Sequence, residues 1–364
     1  MSLLDRLKAQ IAQDGPIGVP EFFTRCLHDP RDGYYAMRPD LGAGGDFITA
    51  PLVSQMFGEL IGLWAIETWT RMGRPSPFRL VEMGPGDGTL MSDLLRAGRL
   101  EPAFLEAAEV WLVEVSGPLK ARQAAKLGDG PRWVGRLDEV PAGPMILVAN
   151  ELLDCLPARQ FVRTESGWAE RVIGLGEDGE LAFGLRALSA KGPSTGFAGP
   201  PPPVGEESLP PGSVLESSPA QAALASDIAH RLATDGGAAL LIDYGRAAPE
   251  AGDTLQAIQG HQKVDPLKTA GLADLTVWAD FPSVVAAARE TGAKAGPVIT
   301  QAQFLTALGI EARAQALATA RPDRAEQVAR QLDRLIGQAQ MGALFKVACL
   351  TAPDLSPPLF EDAT

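Results

Sequence analysis

The chain has 364 residues, of which 46% are hydrophobic and 21% charged, a composition typical of folded globular proteins. Its formal net charge of -13 argues against a nucleic-acid partner, because a negative surface repels phosphate backbones. Three scattered cysteines and three histidines exclude a disulfide scaffold and a histidine-rich metal site, so we expect no metal.

The first 75 residues are predicted to form a helical cap with one long glycine-rich loop. Leu3, Leu4, Leu7 and Ile11 recur at helical spacing, and a second helix with a buried face is predicted over residues 53–71. The N-terminal segment lacks the apolar core of a signal peptide, and no stretch reaches the roughly 18 apolar residues of a membrane span. These features predict a cytoplasmic protein without membrane insertion.

Short apolar strands alternate with helices from residue 78 onward, which predicts a parallel sheet covered on both faces. The alternation breaks at residues 160–188, where short runs separated by turns predict an antiparallel meander. Residues 192–212 contain four consecutive prolines and are predicted to be a loop. The remaining predictions are strands at 78–83, 110–115, 132–134, 145–149, 238–243 and 344–350, and helices at 89–97, 119–126, 218–233, 283–290, 302–308 and 324–338.

This pattern divides the chain into three regions. Residues 1–75 form the N-terminal helical cap and a lid loop. Residues 76–159 and 213–364 form an α/β core, to which the loop-rich stretch 245–281 adds a substrate groove. Residues 160–212 form the inserted meander and the Pro/Gly-rich loop. We expect the functional site in the core, because ligands of open α/β sheets bind at the carboxyl ends of the strands.

A glycine-rich turn follows the first core strand, in the sequence LVEMGPGDGTL. Gly84, Gly86 and Gly88 lie two residues apart, which lets the backbone turn sharply and lets a ligand approach it closely. The spacing differs from the G-x-G-x-x-G of a dinucleotide site, and Glu82 and Asp87 would repel a pyrophosphate. A cationic ligand that carries a sugar fits better, which weakens the alternative of a nicotinamide dehydrogenase.

The turn resembles the acidic-x-Gly-x-Gly-x-Gly motif of the Rossmann-like methyltransferases, whose cofactor is S-adenosylmethionine. The resemblance implies that Glu82 and the three glycines hold this cofactor. It also implies that Glu114, at the end of the second strand, accepts hydrogen bonds from both ribose hydroxyls. The alternatives are an ordinary strand-to-helix turn and a solvated carboxylate at a strand end.

Four separate segments together resemble the MidA family. They are GDFITAP at 45–51 with QMFGEL at 55–60, VEMGPGDG at 81–88, NELLDCLP at 150–157, and GHQKVDPL at 260–267 with DLTVWADF at 274–281. The mitochondrial member of this family is an assembly factor of complex I, the respiratory NADH dehydrogenase, and acts as a protein arginine methyltransferase. The resemblance implies a Rossmann-like class I methyltransferase core, S-adenosylmethionine as cofactor, and a protein arginine on complex I as methyl acceptor.

Glu151 and Asp154 are the candidate catalytic pair. They follow the fourth core strand, at the sheet edge where ligands bind. Arginine is a planar cation with five donors, so two carboxylates could grip it and orient one nitrogen. Methyl transfer would then depend on proximity and orientation, with no general-base histidine. The alternative is that Glu151 pairs with an arginine such as Arg159 or caps a helix, and that Asp154 caps the next helix.

Other candidates belong to two groups. Four residues are expected near the cofactor: Asp46 and Thr49 in the lid loop, Asp138 after the weak third strand as a partner of the adenine amino group, and Asn150. Three residues are candidate substrate contacts: His261, Trp278 and Asp280. The alternatives for this last group are a surface histidine, a core tryptophan and a local helix cap.

The sequence therefore predicts an S-adenosylmethionine-dependent methyltransferase that acts on a protein arginine. Two rival functions remain open at this point. One is a methyltransferase with a small-molecule acceptor. The other is an assembly factor that binds the cofactor without catalysis.

Overall fold

The computed structural model describes residues 1–37, 48–188 and 209–361. Its N-terminal elements are α1 (Leu3–Asp14), β1 (Ile17–Gly18), α2 (Val19–His28), α3 (Tyr34–Met37), α4 (Ala50–Val53) and α5 (Gln55–Arg71). α1 buries Leu3, Leu7 and Ile11, which confirms the prediction from their spacing. The predicted helix 53–71 is divided between α4 and α5, because Ser54 has extended backbone angles and caps α5 with its side chain.

The first half of the core follows the predicted alternation. Its elements are β2 (Phe78–Met83), α6 (Thr89–Gly98), α7 (Pro102–Ala107), β3 (Ala108–Val113), α8 (Gly117–Leu127), β4 (Arg132–Val134) and β5 (Met145–Asn150). The predicted bounds of β2 and β4 are confirmed. β3 lies two residues earlier than predicted, and the sequence prediction lacks α7.

The next elements form an insertion and return to the core. They are β6 (Arg159–Thr164), β7 (Gly167–Leu175), β8 (Leu181–Ala187), β9 (Val214–Ser217), α9 (Pro219–Asp235) and β10 (Gly237–Arg246). β6, β7 and β8 pair in antiparallel order, as the meander prediction requires. β1 pairs with β7, and β9 pairs with β6, so segments from outside the meander complete its sheet.

The C-terminal region contains several elements that the sequence did not predict, among them a small sheet and α12. The elements of this region are β11 (Gln256–Gln259), β12 (Gln262–Val264), β13 (Asp274–Thr276), β14 (Ala279–Asp280), α10 (Phe281–Glu290), β15 (Lys294–Ala295), β16 (Ile299–Thr300), α11 (Gln301–Ala307), α12 (Ile310–Ala320), α13 (Ala325–Ile336), α14 (Met341–Leu344) and β17 (Phe345–Thr351). The stretch 245–281, predicted to be loop-rich, contains the antiparallel sheet β12-β11-β13. Its strands have only three or four residues each, and α12 is alanine-rich, so neither has a strong apolar pattern.

The main sheet has the order β15-β17-β10-β5-β2-β3-β4. β4, β3, β2, β5 and β10 are parallel, with Leu80 beside both Val110 and Ile146. β17 runs antiparallel to β10. Because the parallel strands share one direction, the residues after β2, β3, β5 and β10 meet at the same edge of the sheet.

Helices cover both faces of this sheet. Leu80 belongs to a buried cluster with residues of α5, α6 and α11. Its neighbour Val81 belongs to a second buried cluster with residues of α9 and α10. Successive strand residues point to opposite faces, so one apolar strand contributes to both layers. The predicted α/β architecture is confirmed.

The predicted N-terminal cap divides between two parts of the molecule. α1 and α2 pack in a third cluster with Ile173 of the meander and Leu275 of β13, whereas α5 packs on the main sheet. The exact domain boundaries stay predictions. Within the described residues, no helix is long and apolar enough to cross a membrane.

Candidate functional site

A cavity of about 270 Å³ opens at the carboxyl ends of β2, β3 and β5. Five carboxylates belong to its lining: Glu82, Asp87, Glu114, Glu151 and Asp154. No lysine or arginine is among the described residues that line it. Among the described residues, only Asp87 of these five carboxylates has an ion-pair partner, Lys126 at 2.6 Å. The other four favour a cationic ligand, because a cation stabilises a carboxylate that has no ion-pair partner.

The glycine-rich turn forms one side of the cavity. Gly84, Gly86 and Gly88 all have positive φ, at 65°, 54° and 82°, a conformation that glycine adopts without strain. Gly88 is the N-cap of α6 and provides no side chain to its first N–H groups. Thr89, the first residue of α6, lines the cavity, and its N–H donates to Asp87 Oδ1 at 3.0 Å.

Two buried polar atoms beside the turn lack a partner within the described part of the chain. Glu82 is 3% exposed and Asn150 is 8% exposed. Glu82 Oε2 and Asn150 Oδ1 make no hydrogen bond there. Burial, and after it the charge of Asp87, raises the pKa of Glu82 well above its ordinary value. Since buried acceptors are normally satisfied, both atoms indicate that a donor-bearing ligand binds here.

Glu114 is held in place by two donors. Its Oε1 accepts from the backbone N–H of Ser116 at 2.8 Å, and its Oε2 accepts from Gln123 Nε2 at 3.1 Å. Gln123 Nε2 also donates to the carbonyl oxygen of Gly86 at 2.7 Å, and Gln123 Oε1 accepts from Trp133. The fully buried Gln123 therefore connects the glycine-rich turn to Glu114, and the sequence analysis missed it.

These residues fit S-adenosylmethionine. The orphaned oxygens of Glu82 and Asn150 match the ammonium group, and the remaining lone pairs of the fixed Glu114 carboxylate match two hydroxyls. The glycines leave room for a ligand next to the backbone. The acidic lining suits a sulfonium cation.

Glu151 follows β5 in an unusual backbone conformation. Its φ is 53°, in the left-handed region that non-glycine residues rarely adopt and that often marks functional sites. Its Oε1 accepts from Asn150 Nδ2 at 2.9 Å and from the N–H of Ala50, the first residue of α4, at 3.0 Å. No described residue bonds to Oε2, which leaves that oxygen for a ligand. Glu151 therefore caps a helix, as the alternative role proposed, and that helix is α4. Arg159 does not pair with Glu151, because it pairs with Glu170.

The surroundings of Glu151 favour its protonated form. Burial and the nearby charge of Asp154 raise the pKa of Glu151 to about 8. A cation in the cavity would favour the charged carboxylate and lower this pKa. The binding of a cation is thus linked to the release of a proton.

Asp154 reaches the same cavity from a turn of 3-10 helix, Leu153–Cys155. Asp243 Oδ2 accepts from the N–H groups of Leu153 and Asp154 at 2.8 and 3.1 Å. The carbonyl of Asp154 accepts from Val277 N at 3.1 Å. Burial raises the pKa of Asp154, and burial and the charge of Asp154 raise that of Asp243. The turn is thus held from β10 and from the residue after β13, so Asp154 is fixed beside Glu151.

The structure does not bring four predicted residues to the cavity. Asp138 pairs with Arg136 at 2.7 Å, and its side chain is 63% exposed, so it is not placed to contact an adenine. His261, Trp278 and Asp280 lie outside the lining. Asp280 is the N-cap of α10, the alternative role considered above. Their predicted roles stay predictions, because spacing along a chain does not show which face of a loop meets the sheet edge.

The two predicted residues of the lid loop have different outcomes. Thr49 lines the cavity, and Asp46 lies outside the described residues. His28 and Tyr35 also line the cavity and were missed, because nothing in their local pattern connects α2 and α3 to the sheet edge. Asp243 was missed as well, although an acidic residue after the apolar run Ala238–Ile242 could have drawn notice.

The comparisons with known proteins agree with this geometry. Residues 60–298 match the family model Methyltransf_28, described as "Putative S-adenosyl-L-methionine-dependent methyltransferase". The chain belongs to this methyltransferase family. It is 36% identical to the zebrafish (Danio rerio) "Protein arginine methyltransferase NDUFAF7, mitochondrial", over 95% of this chain and 86% of that protein. The human (Homo sapiens) protein of the same name is 33% identical, over 96% of this chain and 83% of its own length.

A solved structure has the same architecture. A likely methyl transferase of the COG1565 superfamily from Burkholderia thailandensis, bound to S-adenosyl-homocysteine, superposes with a TM-score of 0.81 at 28% identity. The match covers 96% of this chain and 91% of that one. The chain is an S-adenosylmethionine-dependent methyltransferase of α/β fold, and the predicted fold class, cofactor and MidA resemblance are confirmed.

One prediction is corrected by these relatives. The zebrafish and human proteins are both named mitochondrial. The prediction of a cytoplasmic location, which rested on the lack of a recognisable targeting segment, is therefore wrong.

Proposed function

We propose that this methyltransferase transfers a methyl group from S-adenosylmethionine to a protein arginine, and that the acceptor protein is a subunit of complex I. The relatives named protein arginine methyltransferases support a protein substrate. The resemblance to the MidA family supports complex I as its source. The observation that carries the proposal is the pair of carboxylates, Glu151 and Asp154, on the wall of the cofactor cavity.

The cavity has two ends under this proposal. The cofactor end consists of Glu82, the turn 84–88, Glu114 and Asn150. The acceptor end consists of Glu151 and Asp154 with the side chains next to them. Both carboxylates line one cavity with the glycine-rich turn, so a guanidinium bound by them lies beside the cofactor.

The reaction requires little chemistry from the protein. When bound, S-adenosylmethionine would supply an electrophilic methyl group to the acceptor nitrogen and would leave as S-adenosylhomocysteine. Glu151 and Asp154 bind and orient the guanidinium, which is the main contribution in a reaction limited by proximity and orientation. Glu151 Oε2 accepts the proton that the nitrogen loses, because a bound cation favours the charged carboxylate and no described residue bonds to this oxygen.

The test is methyl transfer into complex I isolated from a strain that lacks this protein. Purified protein and labelled S-adenosylmethionine are added, and each labelled band is hydrolysed and analysed for methylarginines. The proposal expects methylarginine in a complex I subunit with the wild type and with Asp138→Asn, and none with Glu151→Gln. Label on another protein would disprove the complex I assignment, and label on a residue other than arginine would disprove the arginine assignment.

A further inference from the structure

Two aromatic side chains of the N-terminal region border the acceptor end of the cavity. His28 and Tyr35 both line it. Their rings stack, with centroids 5.7 Å apart and an angle of 28° between the planes. The hydroxyl of Tyr35 lies 3.0 Å from Sγ of Cys155, the residue after Asp154. The aromatic pair therefore stands next to one of the two proposed acceptor carboxylates.

Tyr35 is fixed from both ends of the cavity. Its hydroxyl donates to Asp274 Oδ1 at 3.2 Å, which anchors it to β13. Its carbonyl oxygen accepts from Ser116 Oγ at 3.3 Å, and the N–H of Ser116 donates to Glu114. Tyr34 also contacts its ring edge to face, with centroids 5.3 Å apart. A ring held in this way loses little freedom when a ligand binds, so its contacts contribute to affinity at low entropic cost.

The chemistry of this wall distinguishes between the two cationic side chains of proteins. A carboxylate attracts an ammonium and a guanidinium alike. A guanidinium is flat and weakly hydrated and stacks on aromatic faces, whereas an ammonium is compact and strongly hydrated. A site with carboxylates and a fixed aromatic ring thus favours the flat cation.

We propose that Tyr35, with His28 stacked on it, determines the specificity of the acceptor site for a guanidinium over an ammonium. This inference rests on the proposed function and goes beyond it. It assigns the choice of arginine over lysine to the N-terminal region, whereas the sequence analysis expected substrate recognition from residues 245–281.

The test uses two small probes with the cofactor product S-adenosylhomocysteine bound. Propylguanidine corresponds to the arginine side chain and butylamine to the lysine side chain. Calorimetry on the whole chain measures the affinity for each. We expect the wild type to bind propylguanidine more tightly by about fivefold or more, the range of a cation–π contact. Tyr35→Leu should remove most of this preference, and Tyr35→Phe, which retains the ring, should keep it.

A second variant distinguishes the loss of the aromatic contact from a folding defect of Tyr35→Leu. His28 is exposed and lines the cavity, and His28→Leu should reduce the preference in the same direction by a smaller factor. The affinity for S-adenosylhomocysteine, which should stay within about twofold, reports intact folding in each variant. Asp138→Ala, which changes an exposed side chain outside the cavity lining, serves as the matched control.

The outcomes separate this inference from the proposed function. If Tyr35→Leu prefers propylguanidine over butylamine by the same factor as the wild type, the role of Tyr35 is overturned and the proposed function stands. Loss of preference in Tyr35→Phe as large as in Tyr35→Leu would overturn the role of the ring. If the wild type binds neither probe, the assignment of Glu151 and Asp154 as a cation site fails, and the proposed function fails with it.

Discussion

The cofactor end and the acceptor end of the cavity are built in different ways. At the cofactor end, Gln123 is only 9 residues from Glu114 and 37 from Gly86, the two groups that it connects. At the acceptor end, Glu151 is bonded to Ala50 across 101 residues, and Asp154 to Asp243 across 89. One end is therefore nearly local in the sequence, whereas the other exists only when distant segments pack together. Changes at the two ends should separate cofactor binding from methyl transfer.

The largest expected effect is on catalysis at the acceptor end. Glu151→Gln and Asp154→Asn should each lower kcat/KM for the acceptor by about 100-fold or more, because each removes a charge that binds the guanidinium. The affinity for S-adenosylmethionine should change by about threefold at most, since neither residue is at the cofactor end. Initial rates and calorimetry measure the two quantities. A comparable loss of cofactor affinity would show that the two ends are not separable.

The next largest effect is on cofactor affinity. Glu114→Ala should weaken S-adenosylmethionine binding by about 10- to 100-fold, the range for hydrogen bonds to a charged group. Asp138→Ala is the matched control, because the two acids follow neighbouring strands and only Glu114 lines the cavity. Its affinity should equal that of the wild type. A reversal of the two results would contradict the ribose assignment of Glu114 and would support the predicted contact of Asp138 with the adenine.

The pH dependence should distinguish the two ends further. With the pKa of Glu151 raised to about 8, the charged form decreases about tenfold for each pH unit below that value. The value of kcat/KM for the acceptor should therefore rise about tenfold per unit up to pH 8 and then level off, because arginine itself stays protonated. Initial rates in overlapping buffers measure this profile. Glu151→Gln should lose the rise in its residual activity, and an unchanged profile would assign the titration to another group.

The smallest effects are expected from substitutions of Gln123, which bonds to Glu114, and of Asp243, which bonds to the backbone of the Asp154 turn. Gln123→Leu should weaken cofactor binding by several-fold, because Glu114 loses one of its two donors. Asp243→Asn should raise the acceptor KM by several-fold, because an amide cannot accept both N–H groups of the turn and that of Tyr244. Gln123→Leu should leave the acceptor KM nearly unchanged, and Asp243→Asn should leave the cofactor affinity nearly unchanged. Equal effects on both parameters would indicate a general loss of stability instead.

The comparison also explains which of the predicted residues lie at the cavity. Glu82, the glycines and Glu114 lie in short strands and turns whose apolar patterns and positive φ requirements are visible locally. Glu151 and Asp154 were placed correctly at the sheet edge, because every parallel strand ends there. Whether they act as the catalytic pair stays a prediction. His261, Trp278 and Asp280 belong to a region whose short strands and connections have no strong pattern, and its orientation could not be inferred.

The alternating core, the cofactor turn and the family were predictable from the sequence, because they depend on local periodicity, glycine geometry and the order of motifs. Three contacts became visible only in the folded chain: Ala50 with Glu151, Asp243 with the Asp154 turn, and Tyr35 with Cys155. These contacts depend on how helices and loops pack on the sheet. That packing follows from the burial of apolar surface throughout the chain, and no short segment encodes it.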